Sequence, residues 1–169
     1  MLNSQKKYDN MLWCMEKYMR EALREAADAA EKGEVPVGAV IVRNSEIIGR
    51  GHNLTESLKD PTAHAEIIAI RQAAKNLGGW RLTESDLYVT AEPCAMCAGA
   101  IILSRIRKVF IGTMDPKSGA CGSVFNLIQD GRLNHFTETE SGIMQKECES
   151  MMKDFFKTLR KKKSEEDEL

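Results

Sequence analysis

Apolar residues recur every three or four positions near the start of the chain. Met11, Met15, Met19, Ala22, Leu23, Ala26 and Ala30 fall on one helical face. The spacing predicts an amphipathic helix over about 9–32, ended by Gly33, with its methionines in a core. The period then shortens. Val37-Gly38-Ala39-Val40-Ile41-Val42 follows Pro36 as an apolar strand, Asn44-Ser45 supplies a turn, and Ile47 to His52 returns as a hairpin. After a polar loop, Asp60-Pro61 is expected to open a second helix, with Asp60 or Thr62 as N-cap. That helix carries Ile67, Ile68, Ile70 and Ala74 and stops near Gly78-Gly79. Asp86 to Ala91 reads as a strand, Pro93 to about Ser104 as a helix, and Ile106 to Gly112 as a strand. Residues 113–123 form a loop, followed by a short turn of helix and a weak strand near 136–140. A last amphipathic helix runs from Gly142 to about Lys162, with Ile143, Cys148, Met151, Met152, Phe155, Phe156 and Leu159.

Strands alternating with helices predict an α/β fold, a three-layer α/β/α sandwich with five strands in its central sheet. The hairpin makes that sheet mixed. No repeat or linker divides the chain, so residues 1–169 are expected to form one domain, with 1–9 and 164–169 as flexible ends. At 43% hydrophobic and 29% charged residues the composition is ordinary for a soluble protein. No apolar run approaches the roughly 20 residues of a membrane span, and the polar stretch Met1 to Tyr8 carries no signal-peptide core. Five cysteines, an odd number, fit a reducing compartment, so a cytoplasmic location and no membrane partner are expected. Cys14 and Cys148 lie in helical patterns and should be buried, whereas Cys121, in a Gly-rich loop, should be exposed.

Formal net charge is −1, which gives no general attraction to nucleic acid. The average hides an asymmetry. Glu165, Glu166, Asp167 and Glu168 close the chain, and removing their four charges raises the total to +3. Just before them lies the basic run Lys157, Arg160, Lys161, Lys162 and Lys163.

Chemistry concentrates in one divided motif, Thr62-Ala63-His64-Ala65-Glu66 and then Glu92-Pro93-Cys94-Ala95-Met96-Cys97. One histidine and two cysteines make three metal ligands, and a hydrolytic zinc site uses three and keeps a fourth position open. Glu66 is then the spare acid that moves protons. Two residues apart on a helix is about 200° of rotation, so His64 and Glu66 converge only at a helix N-terminus. Cys94 and Cys97, three apart behind Pro93, share one face of an opening turn. Two helix N-termini would thus point at one ion, favouring thiolates and leaving backbone N–H groups such as that of Ala65 near the reacting group. A closed structural site would need a fourth ligand. His52, His135, Cys14, Cys121 and Cys148 form no second paired motif that supplies one.

Other residues carry weaker signals. His52 and His135 read as structural. Asn53, in the loop ahead of the motif, either turns the chain or bonds substrate. Phe155 and Phe156 cannot both face a core, so one is free to stack. The basic run is either a solvated helix end or a phosphate contact.

The H-x-E…P-C-x-x-C pattern is the recognised signature of zinc-dependent nucleoside deaminases. Over about 10–162 the chain further resembles the bacterial tRNA-specific adenosine deaminases, which make inosine at the anticodon wobble position. The matching stretches are Glu34 to Val40, Asp60 to Glu66, Leu87 to Thr90, Glu92 to Ala100, Ser104-Arg105-Ile106, Asp115 to Ala120, Asn134-His135 and Asp154-Phe155-Phe156. The resemblance implies a cytidine deaminase-like fold and one zinc ion (Zn2+) per subunit, held by His64, Cys94 and Cys97. It implies Glu66 as proton shuttle, Asn53 on the target nucleoside, and Asp115 on a neighbouring anticodon-loop nucleotide. With Ala65, the residues Phe156, Lys157 and Arg160 complete the expected substrate-binding set. It also implies a homodimer, built in part by the third predicted helix, acting on a tRNA anticodon stem-loop, arginine tRNA foremost. Two alternatives compete: a guanine or other nucleoside deaminase on the same fold, and a zinc-stabilised RNA-binding domain without catalysis. The zinc motif alone separates neither. The flanking stretches and the closing basic helix favour the tRNA enzyme.

Overall fold

A computed structural model describes residues 2–167. Its elements in chain order are α1 (Leu2–Glu31), β1 (Gly38–Arg43), β2 (Glu46–His52), α2 (Thr55–Leu58), α3 (Ala65–Leu77), β3 (Asp86–Ala91), α4 (Ala95–Ser104), β4 (Lys108–Thr113), β5 (Glu138–Ser141) and α5 (Gln145–Asp167). The five strands form one sheet in the order β2-β1-β3-β4-β5. β1 pairs antiparallel with β2 and β3, while β3, β4 and β5 run parallel.

Alternation along the strands builds the three layers. Ala39, Ile41, Leu87, Val89, Val109 and Ile111 point to one face and pack with α3 and α4 residues such as Ala69, Ala73 and Ile101. Val40, Val42, Tyr88 and Phe110 point to the other and pack with Met15, Tyr18, Met19 and Cys148 of α1 and α5. On this second face Tyr88 stacks on Phe110 with ring centroids 4.4 Å apart. A fully buried Leu, Ile or Val contributes about 1.5–3 kcal/mol, against about 0–1 kcal/mol for a surface ion pair. The two apolar layers therefore hold the fold, not its many exposed ion pairs. No helix among the described residues is long and apolar enough to cross a membrane.

The expected hairpin is present, and Asn44 and Ser45 both take positive φ, 50° and 64°, in its tight turn. Several boundaries differ from expectation. α1 begins at Leu2 and not near residue 9, and α5 reaches Asp167. Of the ends expected to be flexible, Met1, Glu168 and Leu169 lie outside the described residues. Met11 is 51% exposed, because α1 overshoots the sheet there, so the methionine stripe enters the core only from Met15. The short helical turn expected after residue 123 is a series of turns and bends. The polar loop after β2 instead contains α2.

Two cysteine expectations are reversed. Cys14 is exposed, because it lies on the solvent side of α1, and Cys121 is buried. Cys121 is drawn in by its backbone, whose N–H donates to the buried Glu92 at 3.0 Å. Cys148 is buried as expected, and burial pushes its thiol up to about 12.

Topology decides where the site can be. β2, β3, β4 and β5 all point the same way, so the loops that follow β2, β3 and β4 emerge at one edge of the sheet. Those loops are the ones that carry the divided motif and the 113–123 segment. Outside the carboxyl ends of such strands is where α/β sheets bind ligands.

Candidate metal and active site

Helix α3 opens later than the sequence suggests. Asp60 is not its cap; its Oδ1 instead accepts from the Thr62 N–H at 2.8 Å and the Thr62 hydroxyl at 2.7 Å, closing a turn ahead of the helix. Those bonds from Thr62 hold the Asp60 carboxyl below its usual range. The N-cap is His64 itself, in extended backbone with φ −80° and ψ 153°. Glu66 is then the second helical residue. Cys94 caps α4 in the same way, with φ −72° and ψ 176°, and Cys97 follows in the first turn. The two N-cap positions usually hold Ser, Thr, Asp or Asn. Here they hold a histidine and a cysteine that could bind a metal, both at helix N-termini as the spacing requires.

His64 Nδ1 lies 3.7 Å from Cys94 Sγ and 3.5 Å from Cys97 Sγ. The three ligand atoms all fall within 4.8 Å of one another. Ideal Zn–N and Zn–S bonds at tetrahedral angles separate N from S by about 3.6 Å, so the donor set and its spacing fit that metal. No fourth histidine, cysteine or carboxylate joins this group among the described residues. Contact with Cys97 and with His64 draws the Cys94 thiol down to about 3, while Cys97, buried against Cys94, is pushed up. Two touching thiols lose their first proton easily and resist losing the second. Contact with Cys94 raises His64. Glu66 is 3% exposed, and burial pushes its carboxyl up.

His64, Glu66 and Cys94 line a cleft of about 990 Å³, with Cys97 fully buried behind them. One wall is the loop Met114 to Ser118. A second is α5, through Met152, Lys153, Phe155 and Phe156, and a third comes from Glu34, Asn53 and Thr55. Asn53 is buried, and its Oδ1 accepts the Ala65 N–H at 3.0 Å. That bond corrects one expectation. The Ala65 amide is already satisfied and its side chain is fully buried, so it offers no free N–H to a ligand. Asn53 Nδ2 makes no hydrogen bond among the described residues.

Asp115 lines the cleft. Its Oδ1 accepts from the Lys117 N–H at 2.9 Å and its Oδ2 from the Ser118 hydroxyl. Burial works to raise its carboxyl, but these bonds outweigh it and hold the group below its usual range. Phe156 lines the cleft, Arg160 lines an adjoining groove of about 330 Å³, and Lys157 is exposed and lines neither. Lys117 and Lys153 border both spaces and were not singled out by sequence. His52 and His135 are structural: His52 Nδ1 meets Glu25 at 2.9 Å, and His135 Nε2 meets the Ile106 carbonyl at 2.8 Å.

Two buried carboxyl groups also escaped the sequence reading. Glu34, 1% exposed, accepts from the N–H groups of Glu56 at 3.1 Å and Ser57 at 2.7 Å and from the Ser57 hydroxyl at 2.7 Å, so it caps α2. Burial works to raise it, but the bonds from Ser57 and Glu56 win and its pKa is lowered. Glu92 does the like for the 113–123 loop. The available signal was slight: each is a single acid flanked by apolar or proline residues, Glu34-Val35-Pro36 and Ala91-Glu92-Pro93.

The sequence profile of the MafB19-like deaminase family matches residues 14–160. A tRNA-specific adenosine deaminase of Bacillus subtilis (strain 168) is 55% identical over 148 residues, covering 88% of this chain and 92% of that protein. A solved structure from studies of A-to-I editing by tRNA:A34 deaminases superposes with a TM-score of 0.77. It is 44% identical and covers 80% of this chain and 98% of that one. A guanine deaminase structure from Bacillus subtilis reaches a TM-score of 0.56 at 42% identity, covering 59% of this chain and 64% of that one.

Proposed function

The chain belongs to the tRNA-specific adenosine deaminases, and from that premise we propose that its cleft hydrolyses adenosine 34 of a tRNA anticodon to inosine, releasing ammonia. One observation carries the reading: a three-donor metal site with a buried carboxyl group beside it, at the floor of a cleft walled by aromatic and basic side chains. His64, Cys94 and Cys97 hold the metal, and their donor chemistry and spacing favour zinc. When bound, the ion supplies Lewis-acid activation of the attacking water.

Glu66 moves the protons. Its carboxyl takes one from the water that attacks C6 and delivers one to N1 of adenine. It then takes the second proton from the hydroxyl newly added at C6 and hands it to the departing amino group, so C6 becomes a carbonyl, water is consumed and ammonia leaves. Asn53, with Oδ1 committed to α3, turns Nδ2 toward an acceptor on the base or ribose. The target base is splayed out of the anticodon loop to enter the cleft. Asp115 meets a neighbouring nucleotide. Phe156 offers a stacking surface, and Lys117, Lys153 and Arg160, with the more distant Lys157, offer phosphate contacts. The single-domain organisation, cytoplasmic location and arginine tRNA substrate go with this reading.

The enzyme acts as a homodimer. Ala95, Met96, Gly99, Ala100 and Leu103 line up on the outward side of α4, an apolar stripe on which Leu103 is 67% exposed. An uncovered apolar stripe of that kind fits a partner surface.

The test is incubation with an arginine tRNA anticodon stem-loop carrying A34, read for inosine and ammonia. Glu66→Ala is expected to lower turnover by about 10²–10⁴-fold with metal content and RNA binding kept. Unchanged ammonia release from that variant would sink the proton-transfer role. Guanine turned over faster than the stem-loop would replace this reading with a nucleobase deaminase.

A further inference from the structure

The loop that walls one side of the cleft hangs from a single buried side chain. Glu92 lies one residue past β3 and two before Cys94, and it is 5% exposed. Its Oε1 accepts from the N–H groups of Cys121 and Ser123, each at 3.0 Å. Its Oε2 accepts from the Asp115 N–H at 2.8 Å and from the Ser123 hydroxyl. Both oxygens are therefore filled by donors from one loop. The fit leaves no spare space: a Cβ at Gly119 would overlap the Glu92 carboxyl and stand 2.6 Å from the Asp115 carbonyl oxygen. Backbone contact follows the same line, with the Ala120 N–H donating to the Pro93 carbonyl at 2.9 Å and Cys94 bridged to Gly119. Met114 to Ser118, the part that faces the cleft, is thus suspended between β4 and the residues that Glu92 holds.

We propose that Glu92 is a positioning residue for RNA, fixing Asp115 and its neighbours at the height where they meet the nucleotides beside the target base. The inference rests on the tRNA reading above. A carboxyl group suits the task because every group facing it is a donor, and glutamine does not. With its amide oxygen kept on Cys121 and Ser123, Glu92→Gln would aim its NH2 at the Asp115 N–H, two donors facing each other. The Ser123 hydroxyl can turn and accept; the Asp115 amide cannot. Glu92→Gln should therefore release the Asp115 end of the loop and keep the Cys121 end.

The experiment uses full-length, metal-loaded wild type and Glu92→Gln. Amide hydrogen exchange is followed at Asp115 and Cys121, and steady-state kinetics are measured on the A34 stem-loop. Exchange at Asp115 is expected to quicken with Cys121 still protected, and KM to rise roughly tenfold with kcat and metal content within about twofold, the loss of one hydrogen bond to a carboxylate. Should that variant fold poorly, Glu92→Asp, which keeps the carboxyl but shortens its reach, is expected to show the same split more weakly. Unchanged exchange at Asp115 overturns the attachment itself. Quickened exchange with an unchanged KM overturns the role in RNA positioning. A fall in kcat or metal content with KM kept assigns Glu92 to the metal ligands instead, and also overturns the proposal. If the wild-type chain deaminates no stem-loop, the tRNA reading has failed first and takes the RNA role of Glu92 with it, an outcome that the wild-type control alone identifies.

Discussion

Gly51→Ala tests whether close helix–sheet packing sets the geometry of the active site. Gly51 lies on β2, directly under the first turn of α3. An added methyl group there would overlap the Ala65 carbonyl oxygen and stand 2.7 Å from Ala69 N and 2.9 Å from Ile68 Cβ. Nonbonded atoms of this size prefer about 3.5–4.0 Å, so α3 must retreat by about 1 Å. Two of the three obstacles are backbone atoms, so no change of rotamer relieves them. Overpacking of this kind costs about 1–3 kcal/mol, which lowers Tm by roughly 2–12 °C for a chain of this size. The functional loss should be larger than the loss of stability suggests. His64 caps the displaced turn, Glu66 sits within it, and a 1 Å misplacement costs about 10²-fold in rate. The assays are calorimetric Tm, bound metal per chain, and kcat/KM on the A34 stem-loop. Gly131→Ala is the control, since a Cβ there meets nothing within 4 Å. Wild-type Tm and activity in Gly51→Ala would refute the argument that the β2–α3 approach positions the site.

Glu34→Gln should destabilise the chain at neutral pH by about 1.5–3 kcal/mol, the worth of hydrogen bonds to a charged acceptor. The folded pKa of Glu34 is lowered from 4.5, so its contribution is present above that pH and is lost as pH falls through the folded value. The Tm gap between wild type and variant should therefore close below pH 4.5, and a constant gap down to pH 3 (roughly, the acid limit of such a scan) would count against the capping role. On the proposed pairing through α4, light scattering should find wild type a dimer and Leu103→Glu a monomer, with monomer stability changed by no more than about 0.5 kcal/mol; a wild-type monomer refutes the pairing, and a variant that stays dimeric rules out α4 as the interface. Chelation should abolish deamination and lower Tm, since a ligand at a thousandfold its Kd stabilises by about 4 kcal/mol, and added zinc should restore both. A Tm that responds to neither treatment would exclude His64, Cys94 and Cys97 as the ligands.

Local patterns were read well where local forces act alone. The strand over Asp86 to Ala91, the hairpin turn at Asn44-Ser45 and the arrest of α3 near Gly78 depend on neighbours in sequence, and all are found where expected. The i, i+2 spacing of His64 and Glu66 required a helix end, and α3 starts one residue after His64. The expected cap at Asp60 failed, because its carboxyl closes on Thr62 and because Leu54 N–H bonds to the Ala63 carbonyl, which ties the segment to the end of β2. Cys14 and Cys121 exchanged their expected burial for a related reason: no distant surface covers Cys14, whereas Glu92, 29 positions away, draws Cys121 in.

What the sequence by itself determined is the set of groups: one imidazole and two thiols able to bind a metal, a spare carboxyl group, and the helix ends needed to aim them. These follow from ligand type and from the 3.6-residue repeat, both properties of short segments. The tertiary structure alone decided which side of the sheet β5 joins, that the Ala65 amide is taken by Asn53, and that Glu34 and Glu92 hold two walls of the cleft. Those outcomes turn on which buried polar groups find partners across 12 to 31 positions of sequence. A buried acceptor must be satisfied, but sequence spacing does not say by which donor.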